Sequence, residues 1–582
     1  MSGVVNGWRE VRTPGGGAGS GAARPHPVLA PPVSLAGNPE PGNIAVTAVI
    51  DDGIGIGHAR FRDAVHSSRI AYAWFQDGVT PPGSPVLYGR EFAKAEIDGL
   101  LSASDDGVSV DEDRFYRTLA KAGLKDGHPG VLARRATHGT HVLDLAAGGN
   151  GAENPIIAVQ LPRDVTEDTS GQQLTEFAED ALRYIVDRAD RIAALLGAAE
   201  LPLVINFSYG FIAGPHDGTH PLERVMEDIL AARNAAGEKT AIVLPAGNSR
   251  ESRCHARLTF AAAGAAKELE WRVQPDDRTP SHVEIHMPYS AGPPATSRIS
   301  ARLTAPGGAA VSPDLAEVDG LAWEWPATGP VRARIGYRYQ AGATGRGRFL
   351  ASLAPTRDLL DAAGQAPPGT WRITLTNAAL GPAEQVHAYV QRDDTPFGHE
   401  RHGRQSRFED AAYHLFTPQG GPVEQDAGTG YLRRAGLING MGTGAATVVM
   451  AGYDRRSGRP ALYSSGGPVQ PAGGAGQPGR SGPDAMAVSD TSRAHRGVLG
   501  SATRSGRLVA LAGTSVAAPQ MARRIAAAMI AGTWAGKATL AGWAQHGTAH
   551  RPPDYPPPVG ALRGGDGWIL HPPVHERARI WR

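Results

Sequence analysis

Ser515 has the residue type and the setting of a nucleophile. It lies in the sequence GTSVAAP at 513–519, between a glycine and an alanine-rich run that predicts a helix. Glycine adopts backbone conformations that are closed to other residues, and the first turn of a helix presents amide N–H groups without intrahelical acceptors. Because serine also commonly caps helices, this motif alone is compatible with a simple cap. A nucleophilic serine needs a base and a residue that orients the base, usually His and Asp.

Candidates for both partners lie far upstream. Residues 44–50 (IAVTAVI) predict a buried parallel strand, and Asp51 follows it directly. In open α/β sheets, ligand sites form at this end of the strands, although an ordinary Asp-Gly turn is the alternative. His138 and His141 lie at the start of a helix-like segment at 137–148. No metal site is predicted there, because neither a zincin-type glutamate nor a cysteine cluster accompanies them.

Together these segments resemble the three signature motifs of the subtilisin family of serine proteases. The matching sequences are DDGI at 51–54 with His58 shortly after it, HGTHV at 138–142, and GTSVAAP, in the family's order Asp, His, Ser. The resemblance implies that Ser515 attacks the scissile carbonyl, that His138 accepts and returns the proton, and that Asp51 orients the imidazole.

The same resemblance extends to substrate binding. The strand-like run at 240–245 ends in AGN at 246–248, where Asn248 resembles the oxyanion-hole asparagine. Ala246 and Gly247 beside it, and the SYG sequence formed by Ser208, Tyr209 and Gly210, are expected to bind an extended peptide.

Asp52 departs from the usual family pattern, in which serine or threonine follows the catalytic aspartate. An acidic residue also occupies this position in the kexin-like branch. One interpretation is that Asp52 favours basic substrate side chains, because an unpaired carboxylate in a cleft attracts Lys or Arg. The alternative is that Asp52 faces solvent or pairs locally.

The predicted fold class is α/β: a subtilisin-like, mostly parallel sheet flanked by helices, with an inserted antiparallel β-sandwich of jelly-roll type. Alternating apolar and polar residues, interrupted by Gly and Pro turns, predict the inserted strands. This alternating pattern occurs at 269–273, 283–287, 299–303, 333–337 and 371–375.

The predicted domain organisation has five parts. They are a disordered segment at 1–40, a first catalytic part at 41–257, the β-sandwich at 258–394, a second catalytic part at 395–533 and an extended, Pro-rich C-terminal extension at 534–582. Because 87 residues separate Asp51 and His138, more than in compact family members, a small helical insertion is also expected at about 76–130, near the mouth of the cleft.

The amino-acid composition bears on the expected binding partners and on the expected location of the protein. The 58 basic and 57 acidic residues nearly cancel, so neither nucleic acid nor an anionic membrane is an expected partner. A single cysteine, Cys254, and an N-terminal stretch without the apolar core of a signal peptide predict a cytoplasmic location. No folded pro-domain is expected before Asp51, so restricted access or an activating or docking protein partner is expected to control the enzyme. No cofactor is required; calcium is common in the family, but no site for it can be assigned.

The sequence therefore predicts a serine endopeptidase acting on specific proteins or peptides through an acyl-enzyme. Two alternatives use the same residues. The first is a pseudoprotease-like regulator that only binds peptides, and the second is a transpeptidase or macrocyclase in which an amine captures the acyl group. An intact Asp51, His138 and Ser515 favours an enzyme over a binder, whereas nothing in the sequence separates hydrolysis from transpeptidation.

Overall fold

The computed structural model describes residues 35, 39–149, 154–290, 292–341, 345–396, 399–470, 480–491, 497–557 and 560–570. Most of the segment predicted to be disordered, 1–40, lies outside the described residues. The α-helices are α1 (Lys94–Ala103), α2 (Glu112–Lys121), α3 (His138–Ala147), α4 (Arg163–Glu167), α5 (Leu174–Leu195), α6 (Pro221–Arg233), α7 (Thr514–Ile530), α8 (Lys537–Ala549) and α9 (Ala561–Gly564).

The strands before and within the insertion are β1 (Val46–Asp51), β2 (Arg62–Ala64), β3 (Ser67–Ser68), β4 (Ile70–Phe75), β5 (Arg90–Ala93), β6 (Ile156–Gln160), β7 (Leu203–Phe207), β8 (Thr240–Pro245), β9 (His255–Leu258), β10 (Ala266–Val273), β11 (Ser281–His286), β12 (Ile299–Thr304), β13 (Leu315–Ala316), β14 (Ala322–Trp325), β15 (Ala333–Gln340), β16 (Arg346–Leu353), β17 (Gly369–Asn377), β18 (Val386–Val390) and β19 (Arg407–Glu409). Those that follow are β20 (Val448–Asp454), β21 (Ala485–Asp490), β22 (Val498–Ser501) and β23 (Leu508–Leu511).

An eight-stranded sheet forms the centre of the molecule, in the order β21-β20-β8-β7-β1-β6-β4-β5. All neighbouring strands are parallel except β5, which pairs antiparallel with β4 at one edge. Helices α5 and α6 cover one face, whereas α3 and α7 pack on the other. Because both faces are covered, β1, β7 and β8 are buried along their whole length, as their continuous apolar sequences predict.

The segment predicted as a helical insertion is part of the core. Its strand β5 extends the central sheet, and Ile97, Phe115 and Tyr116 on α1 and α2 have no exposed area. The expectation of a small excursion at the mouth of the cleft therefore needs correction. Most charged residues of α1 and α2 are at least partly exposed, although Lys94 and Glu112 are buried, and the apolar stripe of each helix packs against the body of the protein.

The inserted domain consists of two antiparallel sheets, β13-β12-β17-β10-β19 and β14-β15-β16-β11-β18-β9, packed around a separate apolar core. The five strands expected from alternation are confirmed. The strands of the insertion run from His255 to Glu409, further than the predicted 258–394. Strands β9 and β19, which account for the difference, have four and three residues, too few to show a period of two.

The C-terminal extension differs from its prediction. Residues 537–549 form α8, which buries Leu540 and Ala544 one helical turn apart, and Trp568 is buried further along the chain. The prolines that predicted an extended tail lie after α8, at 552, 553, 556–558, 572 and 573. Within the part of the chain that the structure describes, no helix has both the length and the apolar character needed to cross a membrane.

Candidate active site

The three residues predicted to be catalytic come together at one edge of the central sheet. Asp51 is the last residue of β1, His138 is the first residue of α3 and Ser515 lies in the first turn of α7. The neighbouring strands β7 and β8 end at the same edge, immediately before Ser208 and Ala246. The site thus lies where parallel strands end and helices begin, which is the position expected for an open α/β sheet.

The three side chains form a continuous hydrogen-bonded chain. His138 Nδ1 lies 2.7 Å from Asp51 Oδ1, and His138 Nε2 lies 3.0 Å from Ser515 Oγ. Because the Asp51 carboxylate accepts the Nδ1 proton, the lone pair of Nε2 faces the serine hydroxyl and can accept its proton. The side chain of Asp51 is 2% exposed and that of His138 is 22% exposed, so the imidazole is accessible and the carboxylate is not.

The burial of this pair sets its electrostatics. Burial opposes a positive charge on His138, but the Asp51 carboxylate outweighs that effect and raises the pKa of the imidazole. Burial likewise raises the pKa of the Asp51 carboxyl, and the neighbouring His138 opposes this rise. Asp51 Oδ1 also accepts the backbone N–H of Asp52 at 2.8 Å, which fixes the orientation of the carboxylate.

Gly139 allows α3 to begin this close to β1. Its N–H donates to the carbonyl of Asp52 at 2.8 Å. A Cβ at this position would lie 2.2 Å from the same carbonyl oxygen, so a side chain would push the first turn of α3, and His138 with it, away from Asp51.

Asn248 is oriented by Thr514, the residue before Ser515. Asn248 Oδ1 accepts from the N–H of Thr514 at 2.9 Å and from its hydroxyl at 3.0 Å, so the amide nitrogen must point the other way. A Cβ on Gly513 would lie 3.1 Å from Asn248 Nδ2 and 3.2 Å from Ser515 Oγ. Because Gly513 has no side chain and its φ is +143°, the space between amide and hydroxyl stays open.

Residues 208–210 form one wall beside Ser515. The Ser208 hydroxyl donates to the carbonyl of Ser515 at 3.0 Å, which ties this wall to α7. Asn439, which was not predicted from the sequence, links this wall to the end of β8. Its Nδ2 donates to the carbonyls of Tyr209 at 2.9 Å and Pro245 at 3.2 Å. Among the described residues, neither the N–H nor the C=O of Gly210 has a hydrogen-bond partner, and both are therefore available to an extended peptide.

Gly247 and Ala246 have different surroundings. Gly247 is half-buried, and its N–H donates to the Thr514 hydroxyl at 3.1 Å. Ala246 has no exposed area; its N–H donates to Met450 and its carbonyl accepts from Asn439. Ala246 therefore positions its neighbours and offers no polar group to a peptide, contrary to its prediction as a binding residue.

Asp52 is paired locally. Its Oδ2 lies 3.1 Å from Nε2 of His399, a residue in the segment between β18 and β19. Nδ1 of the same ring lies 3.0 Å from Glu167 Oε1. Sequence reasoning missed His399, because no motif surrounds it and 347 positions separate it from Asp52.

The other two histidines of the motifs lie outside this constellation. His141 Nε2 donates to the carbonyl of Val498 at 2.9 Å and is fully buried in α3. His58 accepts the N–H of Arg60 at 3.1 Å, and burial lowers its pKa to about 4. Among the described residues, the group of potential metal ligands that contains His138 does not include His141.

One group of potential metal ligands coincides with the site itself. Ligand atoms of Asp51, Asp52 and His138 lie within 4.8 Å of one another. In this arrangement His138 Nδ1 is hydrogen-bonded to Asp51 and Asp52 is bonded to His399, so a cation would have to displace both interactions. The set has two carboxylates and one imidazole, whereas calcium prefers oxygen ligands alone.

The mostly parallel sheet, its flanking helices and the inserted sandwich make up a subtilisin-like fold with a β insertion. Among solved structures, the chain is similar to the CspB protease of Clostridium perfringens, with a TM-score of 0.58 and 18% identity over 91% of this chain and 92% of that one. It also matches the PatG macrocyclase domain, with a TM-score of 0.31 and 10% identity over 92% and 90% of the two chains. No protein-family model matches the sequence, and no curated protein does. At 18% identity, the likeness to CspB is one of fold.

Proposed function

We propose that this chain is a serine endopeptidase that uses Asp51, His138 and Ser515 as its catalytic triad. The observation that carries the proposal is the unbroken hydrogen-bonded chain, 2.7 Å from Asp51 to His138 and 3.0 Å from His138 to Ser515. His138 and Ser515 are 377 positions apart in the sequence, and they meet here with His138 in the tautomer that a general base requires. An intact triad in this geometry favours catalysis over a protein that only binds peptides.

The reaction begins when the substrate carbonyl approaches Ser515. The Oγ atom attacks the carbonyl carbon while its proton passes to His138 Nε2, and the negative charge develops on the carbonyl oxygen. Asn248 Nδ2 and the first-turn N–H of Ser515 are the donors for that oxygen. The C–N bond then breaks as Nε2 protonates the leaving amine, and an acyl ester remains on Ser515.

Water completes the cycle. It transfers a proton to His138 Nε2 as its oxygen attacks the ester, and the carboxylic acid product leaves when Ser515 Oγ takes that proton back. Throughout, Asp51 keeps Nδ1 protonated and compensates the charge on the imidazolium.

The substrate is a peptide segment in an extended conformation. The free backbone groups of Gly210 suit main-chain pairing with such a segment, which resembles the addition of a strand to a sheet. Because main-chain pairing needs an unpaired substrate backbone, loops and unfolded regions are the expected cleavage sites.

Active-site labelling tests the proposal directly. A fluorophosphonate probe should modify wild-type protein and the Ser102→Ala control, whose replaced serine is exposed on α1, but not Ser515→Ala. Circular dichroism of all three proteins checks the fold. Labelling of Ser515→Ala equal to that of wild type would refute the assignment.

Product analysis separates the two acyl-transfer outcomes. Mass spectrometry of a peptide mixture incubated with the enzyme should show new free carboxyl termini, whereas new amide bonds would identify a transpeptidase. Repeating the labelling with added cell lysate tests the predicted activating partner, since labelling that requires lysate would support one.

A further inference from the structure

A loop of the inserted sandwich reaches the catalytic site. After β18 the chain crosses to the catalytic part before it returns as β19, and the carbonyl of Asp394 accepts the Thr169 hydroxyl at 3.0 Å. The Thr395 hydroxyl accepts the N–H groups of His402 and Gly403, both at 2.9 Å, and closes the loop on itself. This crossing loop, of which residues 391–396 and 399–404 are described, carries His399.

The His399 ring bridges two carboxylates. Its Nε2 lies 3.1 Å from Asp52 and its Nδ1 lies 3.0 Å from Glu167, and the ring has no exposed area. Carboxylates only accept, so both ring nitrogens must donate and the ring must be an imidazolium. Asp52, which is 20% exposed, therefore faces the cleft with its charge already compensated.

Asp52 also lies where a bound peptide must pass. Its carboxylate is within 4.8 Å of a ring nitrogen of His138. In the wall at 208–210, burial raises the pKa of the Tyr209 hydroxyl, and the charge of Asp52 raises it further. A peptide that pairs with this wall and presents its carbonyl to Ser515 runs between those two residues. The side chain that precedes the cleaved residue would then meet Asp52.

We propose that His399 is a specificity-determining residue that, by occupying Asp52, makes this subsite select uncharged substrate side chains over lysine and arginine. A lysine or arginine entering the subsite finds no free carboxylate and approaches an imidazolium that is already in place. The kexin-like expectation for Asp52 is thereby reversed by a residue from the inserted sandwich. This inference rests on the proposed function, because it concerns peptides delivered to Ser515.

Peptidyl diphenyl phosphonates, which label a reactive serine irreversibly, measure the preference. Four probe sets carry Lys, Arg, Leu or Ala at the position before the phosphonate residue. All other positions of each probe contain mixtures of amino acids. Intact-mass spectrometry gives the labelling rate of each probe. Wild type should react at least tenfold more slowly with Lys and Arg than with Leu and Ala.

Variants assign that preference to His399. His399→Gln leaves Asp52 charged without an imidazolium, so the ratio of Lys to Leu rates should rise at least tenfold. In the double variant Asp52→Ser with His399→Gln the gain should disappear. His402→Gln, in the same loop but bonded only to backbone carbonyls, is the matched control and should keep the wild-type ratio.

The possible outcomes distinguish the role of His399 from the proposed protease function. A wild type that prefers Lys, or an unchanged ratio in a labelled His399→Gln protein, overturns the role of His399 and leaves the protease assignment standing. Absence of labelling in every protein overturns the proposed function and this inference together. The wild-type ratio needs no variant, so a misfolded His399→Gln protein does not remove the test.

Discussion

Acid is expected to weaken the junction between the sandwich and the catalytic part, because a stack of buried rings crosses it. His216, in the loop after β7, stacks on Tyr389 of β18 with ring centroids 4.2 Å apart. Tyr389 stacks in turn on His255 of β9 at 4.5 Å, and His255 Nε2 lies 3.0 Å from His387 Nδ1. His255 Nδ1 donates to the carbonyl of Ala435 at 2.7 Å, and burial lowers the pKa of His255 to about 3, so this ring also resists protonation as the pH falls.

The size of the effect follows from His216. Its Nε2 donates to the carbonyl of Ile212 at 2.6 Å, and burial lowers its pKa to about 4 from an ordinary 6.5. Below pH 6.5 the unfolded chain takes up a proton at this position that the folded chain refuses until about pH 4. Stability is therefore lost as the pH falls through this window, by about 1.4 kcal/mol per pH unit and about 3 kcal/mol in total for this one ring.

The variant His216→Gln keeps a donor for the carbonyl of Ile212 but cannot titrate. Urea unfolding at several pH values should give a free energy of unfolding that falls less steeply in the variant than in wild type. The difference between the two proteins should change by about 2 kcal/mol between pH 6 and pH 4.5. Carboxyls with a raised pKa, such as Glu223 at about 7 and Asp393 at about 8, act in the opposite direction, but they contribute equally to both proteins and cancel.

Parallel curves for wild type and His216→Gln would refute the reasoning, because they would mean that His216 takes up its proton equally in the folded and unfolded chains. His546→Gln, on the exposed side of α8, controls for the loss of a histidine as such.

Three further substitutions test the site and its support. Asn248→Asp keeps the acceptor for Thr514 but removes the amide donor, so kcat should fall by about 10²–10³-fold at nearly constant KM in peptide hydrolysis. Arg392→Gln should move the acid limb of the kcat/KM profile to higher pH, because the Arg392 charge opposes protonation of His138; a shift to lower pH would contradict this. Glu91→Gln removes the carboxylate that lies 2.6 Å from the buried Arg188, so that among the described residues only Asp187 still pairs with this guanidinium, and it should cost up to about 3 kcal/mol in urea unfolding. The control Glu179→Gln, from an exposed pair on α5, should cost less than about 1 kcal/mol.

Residues inside sequence motifs could be placed before the structure was known. Asp51, His138, Asn248 and Ser515 each occupy a short motif at a strand end or helix start, and the local backbone brings each of them to the same sheet edge. Five of the longer sandwich strands were equally predictable, because their alternation reports which face is buried, whereas β16, with eight residues, was not predicted.

Residues that act through long-range pairing could not be placed. His399 and Asn439 have no motif around them, and their partners lie 347 and 230 positions away in sequence. Composition also led to two wrong predictions. The charges on α1 and α2 indicated a surface excursion at 76–130, and the prolines after α8 indicated an extended tail at 534–582, where the structure has a helix. In each case the structure depends on apolar contacts with distant parts of the chain, and a short stretch of sequence does not show those contacts.

The pairing of β8 with β20 has a consequence for synthesis of the chain. These adjacent strands are separated by about 200 residues, nearly all of the sandwich and its return, so β8 is an open edge while the ribosome makes them. At ordinary translation speeds this interval lasts about 10–40 s. During that time the nascent chain already holds Asp51 and His138 but has no Ser515. A nascent chain that ends before residue 515 therefore lacks the nucleophile that the proposed function requires, and the last third of the sequence supplies both β20 and β21 and Ser515.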